Sequence, residues 1–404
     1  EEPAYPDTVD VGRLRQLFLD DCVIEKTAGL TRESGVPSRH PGNPVVRRDK
    51  PWDASRCELY GSCVYDPEHK RLQLFYTAMD VPYNGRLAYA ESYDGGATWI
   101  KPEFDIFLFN GQKTNIVWPG IYYVAGPSVF RDENDPDPAR RYKLFTCEID
   151  LSKKMEKGHQ GIYVAFSPDG IHWTAAEKNP VIERFNSDTR QSSFRHPNTG
   201  KYVAYVRLRS GHRRSVGITR SDDFIRWTEP RLIYQPTTED DARSWQFYSL
   251  SVTPYEGQYV GLLWVFPATA ESVNQELDTP VTWVELVSSR DGEHWRRVDF
   301  GKPFLPMGEK GAFDRRQIRP ASSLVVLDDN ILLIYSATPH AHVTSHKYDI
   351  GLATIRKDGF VSMCAGDKEG MLLTSKLICP AGRLRINADV ENNGYVKAEI
   401  LDAS

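Results

Sequence analysis

The chain lacks any apolar run near the ~18–20 residues that a membrane-spanning helix needs. Its longest apolar stretches, such as Ile331 to Ile334 and Gly261 to Phe266, are only long enough for core strands. It lacks a charge excess: the net charge is −5, which gives no case for nucleic-acid binding. It has only six cysteines, Cys22, Cys57, Cys63, Cys147, Cys364 and Cys379, and no Cys-x-x-Cys pair for a metal or redox site. Cys57 and Cys63 on one strand would stand ~20 Å apart, beyond disulfide reach. Free thiols, or a terminal staple between Cys22 and Cys379, remain. No phosphate loop, Gly-x-Ser-x-Gly elbow or His-Glu-x-x-His occurs. No cofactor is expected, although an axial calcium or other ion is compatible with the reading below. The start, Glu1-Glu2-Pro3-Ala4, has no signal peptide. It reads as a mature end after signal removal, hence a secreted or periplasmic protein, or as an engineered chain start.

What is abundant is aromatic and turn-forming: 9 Trp, 20 Tyr, 17 Phe, 29 Gly and 26 Pro in 404 residues. One pattern organises them. It appears as Ser92-Tyr-Asp94-Gly-Gly-Ala-Thr-Trp99, Ser167-Pro-Asp169-Gly-Ile-His-Trp173, Ser221-Asp-Asp223-Phe-Ile-Arg-Trp227 and Ser289-Arg-Asp291-Gly-Glu-His-Trp295. A worn copy is Arg356-Lys-Asp358-Gly-Phe360. The Asp residues are spaced 75, 54, 68 and 67 apart. The chemistry is that of a turn: Asp caps amides, Gly takes a positive φ, and Trp packs beneath.

Three strands precede each turn in a fixed order. The first ends in a small-residue run (Gly61-Ser-Cys, Gly126-Pro-Ser, Gln191-Ser-Ser, Ser249-Leu-Ser, Ala321-Ser-Ser). The second alternates apolar residues, as in Leu72 to Tyr76 and Tyr259 to Trp264. The third leads into the turn, as in Arg86 to Ala90 and Asp349 to Ala353. Five four-stranded units make an all-β, five-bladed β-propeller over residues 44–375. Residues 1–43 supply a lead-in with a strand at Leu17 to Ile24. Residues 376–404 supply a hairpin through Asn393-Gly394, pairing with that strand in a small satellite sheet.

Ser92 to Trp99 matches in full the Asp-box of sialidases, Ser-x-Asp-x-Gly-x-Thr-Trp, a structural turn. With five blades, an opening Asn43-Pro44-Val45 and Pro51-Trp52-Asp53, the chain resembles the five-bladed glycoside hydrolases of families 32, 43, 68 and 130. It lacks the fructosidase opening Trp-Met-Asn-Asp-Pro-Asn-Gly and reads as a divergent relative. The resemblance implies carbohydrate chemistry run by acids from different blades.

First strands of a propeller line its axis. Aligned on Ser62, Ser128, Ser192, Ser249 and Ser323, the residues four earlier are Glu58, Val124, Asp188, Trp245 and Arg319. The next layer is Tyr60, Gly126, Arg190, Phe247 and Ala321. Glu58 and Asp188 thus form a candidate carboxylate pair, as glycoside hydrolysis requires, with Asp241 as a third acid. Each acid alone could equally be a buried structural bridge to Arg190 or Arg319. Asp53, Asp240, Glu309 and Asp314 are further acids on loops at the same rim. Arg190, Arg207 and Arg319 suit an acidic sugar. Trp118, Trp245 and Tyr248 could stack on a sugar. His340, from the cluster His340-Ala-His342 with His346, could reach the mouth, and a metal there is the minority reading.

The expected activity is hydrolysis of a poly- or oligosaccharide, with carbohydrate as the partner and neither nucleic acid nor a membrane span. The alternatives are a polysaccharide lyase, with a Tyr or His base next to an Arg-held uronate, and a carbohydrate-binding propeller whose axis aromatics block.

Overall fold

The computed structural model describes residues 5–81, 84–150, 152, 160–268, 281–340, 347–380, 382–391 and 394–401. Five antiparallel sheets carry the repeat. Blade one runs outward through Arg56–Asp66, Arg71–Met79, Arg86–Ser92 and Ile116–Trp118. Blade two follows with Tyr123–Arg131, Tyr142–Ile149, Gln160–Ser167 and Thr174–Ala175. Blade three has Ser192–Arg195, Tyr202–Ser210, Arg213–Ser221 and Arg231–Tyr234. Blade four has Trp245–Tyr255, Gln258–Pro267, Trp283–Ser289 and Arg296–Arg297. Blade five has Gln317–Pro320, Asn330–Thr338 and Asp349–Arg356, and its outermost strand is Ser38–Arg39.

That last strand comes from before residue 44. The lead-in segment therefore closes the ring. Asn43 secures it with two bonds to one residue, donating to the Leu352 carbonyl at 2.9 Å and accepting from the Leu352 amide at 2.8 Å. Alternating apolar side chains of neighbouring blades fill the gaps between sheets, so the core is a ring of interblade clusters rather than one centre.

The repeated turns have one architecture. In each of the four full copies the Trp indole donates to the backbone carbonyl three residues earlier, as from Trp99 to Gly96 at 2.9 Å and from Trp173 to Gly170 at 2.9 Å. The Asp accepts turn amides: Asp169 from Ile171 and His172, Asp291 from Glu293 and His294. The third copy places Phe224, not glycine, at φ 67°. The strain of about 1–3 kcal/mol is offset by complete burial of the ring among Phe145, Phe166, Tyr202 and Trp227.

The inner strands are stitched together by serines. Ser62 Oγ accepts from the Val129 amide at 2.8 Å and lies 2.5 Å from Ser322 Oγ. Ser128 Oγ accepts from the Ser193 amide, and Ser192 Oγ from the Val252 amide. In blade four the equivalent serine is Ser251, which donates to the Ala321 carbonyl, and in blade five it is Ser322. The alignment on Ser249 and Ser323 was therefore two residues off in blade four and one in blade five.

The ends of the chain do form satellite ladders, but not from the expected residues. Thr8–Asp10 pairs with Lys376–Ile378, Ile24–Ala28 with Met371–Thr374, and Leu30–Ser34 with Val361–Ala365. Leu17 to Val23 is a turn rather than a strand, because Asp20 caps the Cys22 amide and pairs with Arg290 at 2.8 Å. The residues described between 382 and 401 form no strand, and Asn393 at the expected turn lies outside the described residues. An isolated two-stranded hairpin is marginal in water, and no sheet covers its apolar residues: Leu384 and Ile400 are exposed. Cys22 and Cys379 are not bonded; the first is buried and the second exposed.

Candidate functional site

Alternation of strand direction puts the repeated turns and the hairpins between first and second strands at one end of the axis, and the loops between second and third strands and into each blade at the other end, the mouth. The mouth is where Glu58, Asp188 and the arginines meet. Glu58 sits near the start of the innermost strand of blade one and is fully buried. Arg56 pairs with it at 2.6 Å and Arg319 from blade five binds its other oxygen. Burial alone would push Glu58 up, but the two guanidinium groups outweigh it and hold the carboxyl below its ordinary range. Arg319 also donates to Gln317 at 2.9 Å, and Gln317 accepts from the Tyr348 hydroxyl at 2.9 Å. Glu58 therefore orders a closed network and presents no face to a ligand.

Asp188 differs. It lies on the loop that enters blade three, not on the strand, and is only partly buried. Gly126 makes this placement possible. At φ 62°, a Cβ there would stand 1.7 Å from the Thr189 carbonyl, so only glycine lets blade two approach this loop. Ser187 beside it accepts from the Arg207 amide at 3.0 Å, which ties the loop to the second strand of blade three. The charge of Asp188 is felt at Tyr60, Tyr123 and Cys147. Burial chiefly pushes Tyr60 and Tyr123 well up, and lifts Tyr348 to about 12, so all three stay protonated donors.

Arg207 stands over the Tyr248 ring at 5.5 Å, and Arg214 over the same ring at 5.3 Å; both are partly exposed. Arg190 is buried deeper, over Trp264. Tyr248 stacks on Trp264 and lies 5.8 Å from Arg319, which makes it the axial aromatic of blade four. A bulge between Phe247 and Ser249 turns Phe247 outward against Tyr234 instead.

The other candidates disperse. Asp241 is on a short helix, Thr238–Ala242, at the exposed rim, paired with Arg213 at 2.5 Å. Trp245 faces away from the axis and packs on Trp283 and Phe300. Trp118 is in the outermost strand of blade one, where its indole donates to Glu148 at 3.0 Å. His340 is exposed at the mouth, its carbonyl accepting from Gln317; His342 and His346 lie outside the described residues. Asp53, Asp240 and Asp314 are buried in pairs with Lys101, Arg297 and Arg39.

Sequence reasoning missed two parts. One is Glu148, buried and pushed up by desolvation against bonds from Trp118 and the Ile121 and Tyr122 amides, which fixes the loop at 119–122. The other is a mouth-side groove between blades one and two, lined by Arg86, Phe107, Pro119, Tyr122 and Tyr123. The Pro119-Gly120 turn was its visible signal. Among the described residues the one buried axial carboxylate, Glu58, is taken up by Arg56 and Arg319. Among the described residues one metal-capable group, Asp66, Glu68 and His69, occurs, on a blade-one turn at the end opposite the mouth.

Residues 122–276, covering most of blades two to four, match the family described as Glycosyl hydrolases family 32 N-terminal domain. Among solved structures, a family GH130 protein aligns at TM-score 0.56 and 16% identity, over 83% of this chain and 97% of its own. That family is described as mannoside phosphorylases that include glycoside hydrolases targeting β-1,2 mannosidic linkages in Candida mannan. The fold is that of the five-bladed glycoside-hydrolase propellers. A GH32 β-fructofuranosidase of Bombyx mori shares this propeller at TM-score 0.53 and 12% identity, over 81% of this chain and 66% of its own. So does an N-acetylgalactosamine deacetylase from F. plautii bound to blood group B trisaccharide, at TM-score 0.51 and 16% identity, over 81% and 96%. No curated protein matches by sequence. Because one of these propellers removes an acetyl group, the glycoside-hydrolase propeller by itself does not fix the reaction.

Proposed function

We propose that the protein hydrolyses an acidic poly- or oligosaccharide bound across the mouth, with Asp188 as the reacting carboxylate. The observation that supports this reading is the contrast between the two axial acids. Glu58 is neutralised by two arginines and sealed, whereas Asp188 is partly exposed beside Tyr123, Ser187 and Arg207. Asp188 takes a proton from a water that attacks the anomeric carbon, or attacks that carbon itself, while the glycosidic C–O bond breaks and a second carboxylate protonates the leaving sugar oxygen. The protonated Tyr123 donates to a sugar oxygen, and Arg207 and Arg214 face the acid group of the sugar. Asp241, carried on the adjoining blade, is the second carboxylate in this reading. Its separation from Asp188 sets retention or inversion. Trp118 and Trp245 serve as packing, and Tyr123 takes the stacking role.

The test is a panel of acidic and neutral oligosaccharides assayed for new reducing ends. Asp188→Asn should cut kcat/KM on the order of 10²–10⁴-fold with an unchanged Tm. Full activity in that variant would sink the assignment. A second reading is favoured by the convergence of tyrosines and arginines around a single accessible acid: β-elimination next to a uronate. New ultraviolet absorbance in the products, without water uptake at the anomeric carbon, would select it.

A further inference from the structure

Arg190 and Arg319 are buried at the axis and Arg56 is partly buried; among the described residues, Arg56 and Arg319 share the buried Glu58 carboxylate. Arg190 is left over. It is 1% exposed, and Nη2 donates to Ser249 Oγ at 3.1 Å. Its Nε and Nη1 have no hydrogen-bond partner among the described residues. Its guanidinium lies 4.9 Å from the Trp264 ring centroid, and the Trp264 indole N–H is likewise buried and unbonded. A sealed guanidinium with two idle donors is among the costliest things a fold can bury. Desolvation shows in its pKa, driven down to about 9. The nearby Tyr60, although its charge would favour the cation, is itself held protonated by burial.

We propose that Arg190 Nε and Nη1 hold a small monovalent inorganic anion, of chloride size, in the propeller axis beneath the mouth. Size decides the class. Tyr60 and Tyr248 are 4% and 7% exposed, so a sugar carboxylate has no path to Arg190, while a halide can be enclosed as the ring closes. Charge decides the sign, since the buried Arg190 side chain hydrogen-bonds only to Ser249 Oγ among the described residues. This site is separate from Arg207 and Arg214 and does not depend on the proposed reaction.

The experiment uses the whole chain, stripped of halide in gluconate buffer and titrated with bromide at constant ionic strength. The expected result is a saturable rise in Tm with bromide and an anomalous-scattering peak beside Arg190 in crystals grown in bromide. Arg190→Met should lose the bromide dependence of Tm. If that variant does not fold, the wild-type peak decides alone. No peak at Arg190, or water in its place, overturns the site. Displacement of the bromide by galacturonate also overturns it, by showing that Arg190 takes the acid group of a sugar. A bromide effect on Tm that persists in Arg190→Met overturns it as well.

Discussion

The two ends of the propeller axis are built on opposite principles. At the turn end, short-range bonds repeat: Ser Oγ, Asp carboxylate and Trp indole close each loop within a few residues. At the mouth, contacts join residues far apart in the chain, such as Arg319 with Glu58, and they do not repeat from blade to blade. Local, repeated contacts make an end that any blade can form alone. Long-range, unrepeated contacts make an end that exists only once all blades are assembled. Chemistry needs several different groups at one place, so it belongs to the second end.

Substitutions can separate the ends. Glu58→Gln removes the carboxylate that Arg56 and Arg319 share and should cost about 3–5 kcal/mol in denaturant unfolding, the largest effect we expect. If stability barely moves, the mouth is not held by that network. Phe224→Ala at the turn end keeps the Cβ and so the positive-φ strain, and should cost about 3 kcal/mol or more while leaving the kinetics of the folded fraction unchanged. A change in KM would show that the ends communicate. Acid probes the turns as a group. Burial pushes Asp94, Asp223 and Asp291 up, but turn amides and side-chain donors outweigh it and hold each at about 2, against 3.8 when free. A carboxyl held low stabilises above its unfolded pKa, so that contribution is complete above about pH 4 and is lost as pH falls towards about 2. Melting curves across that window should show the loss, and Asp223→Asn should flatten part of it. The smallest effect belongs to Asp241→Asn. Its exposed pair with Arg213 is worth at most about 1 kcal/mol, so a large fall in kcat with unchanged Tm would mark Asp241 as a partner of Asp188.

The same contrast explains what could be read from the sequence. The blades were legible because Ser, Asp and Trp recur with fixed roles and the strands alternate with period two. The position of Asp188 and the arginines near the mouth was legible from blade register. Which side chains face the axis was not, because bulges between Glu58 and Ser62, between Ala125 and Ser128, and between Phe247 and Ser249 break the period. One such bulge exchanged Phe247 for Tyr248, and the two-residue slip in blade four brought in Trp245. Strand register found Asp188 but placed it on a strand, whereas it lies in the loop that Gly126 lets approach. Closure by Ser38–Arg39 was hidden because two residues carry no pattern.

That closing strand has a consequence for how the protein is made. Ser38–Arg39 leaves the ribosome before any blade, but its partner Asp349–Arg356 leaves some three hundred residues later. Until then blade five has no outer edge, the first and last sheets are unsealed, and Arg319 has not reached Glu58. Blades one to four can form in order during synthesis, each with its own turn. The mouth, and with it any activity, arrives in a single late event whose rate is set by the search of one long loop for its ends.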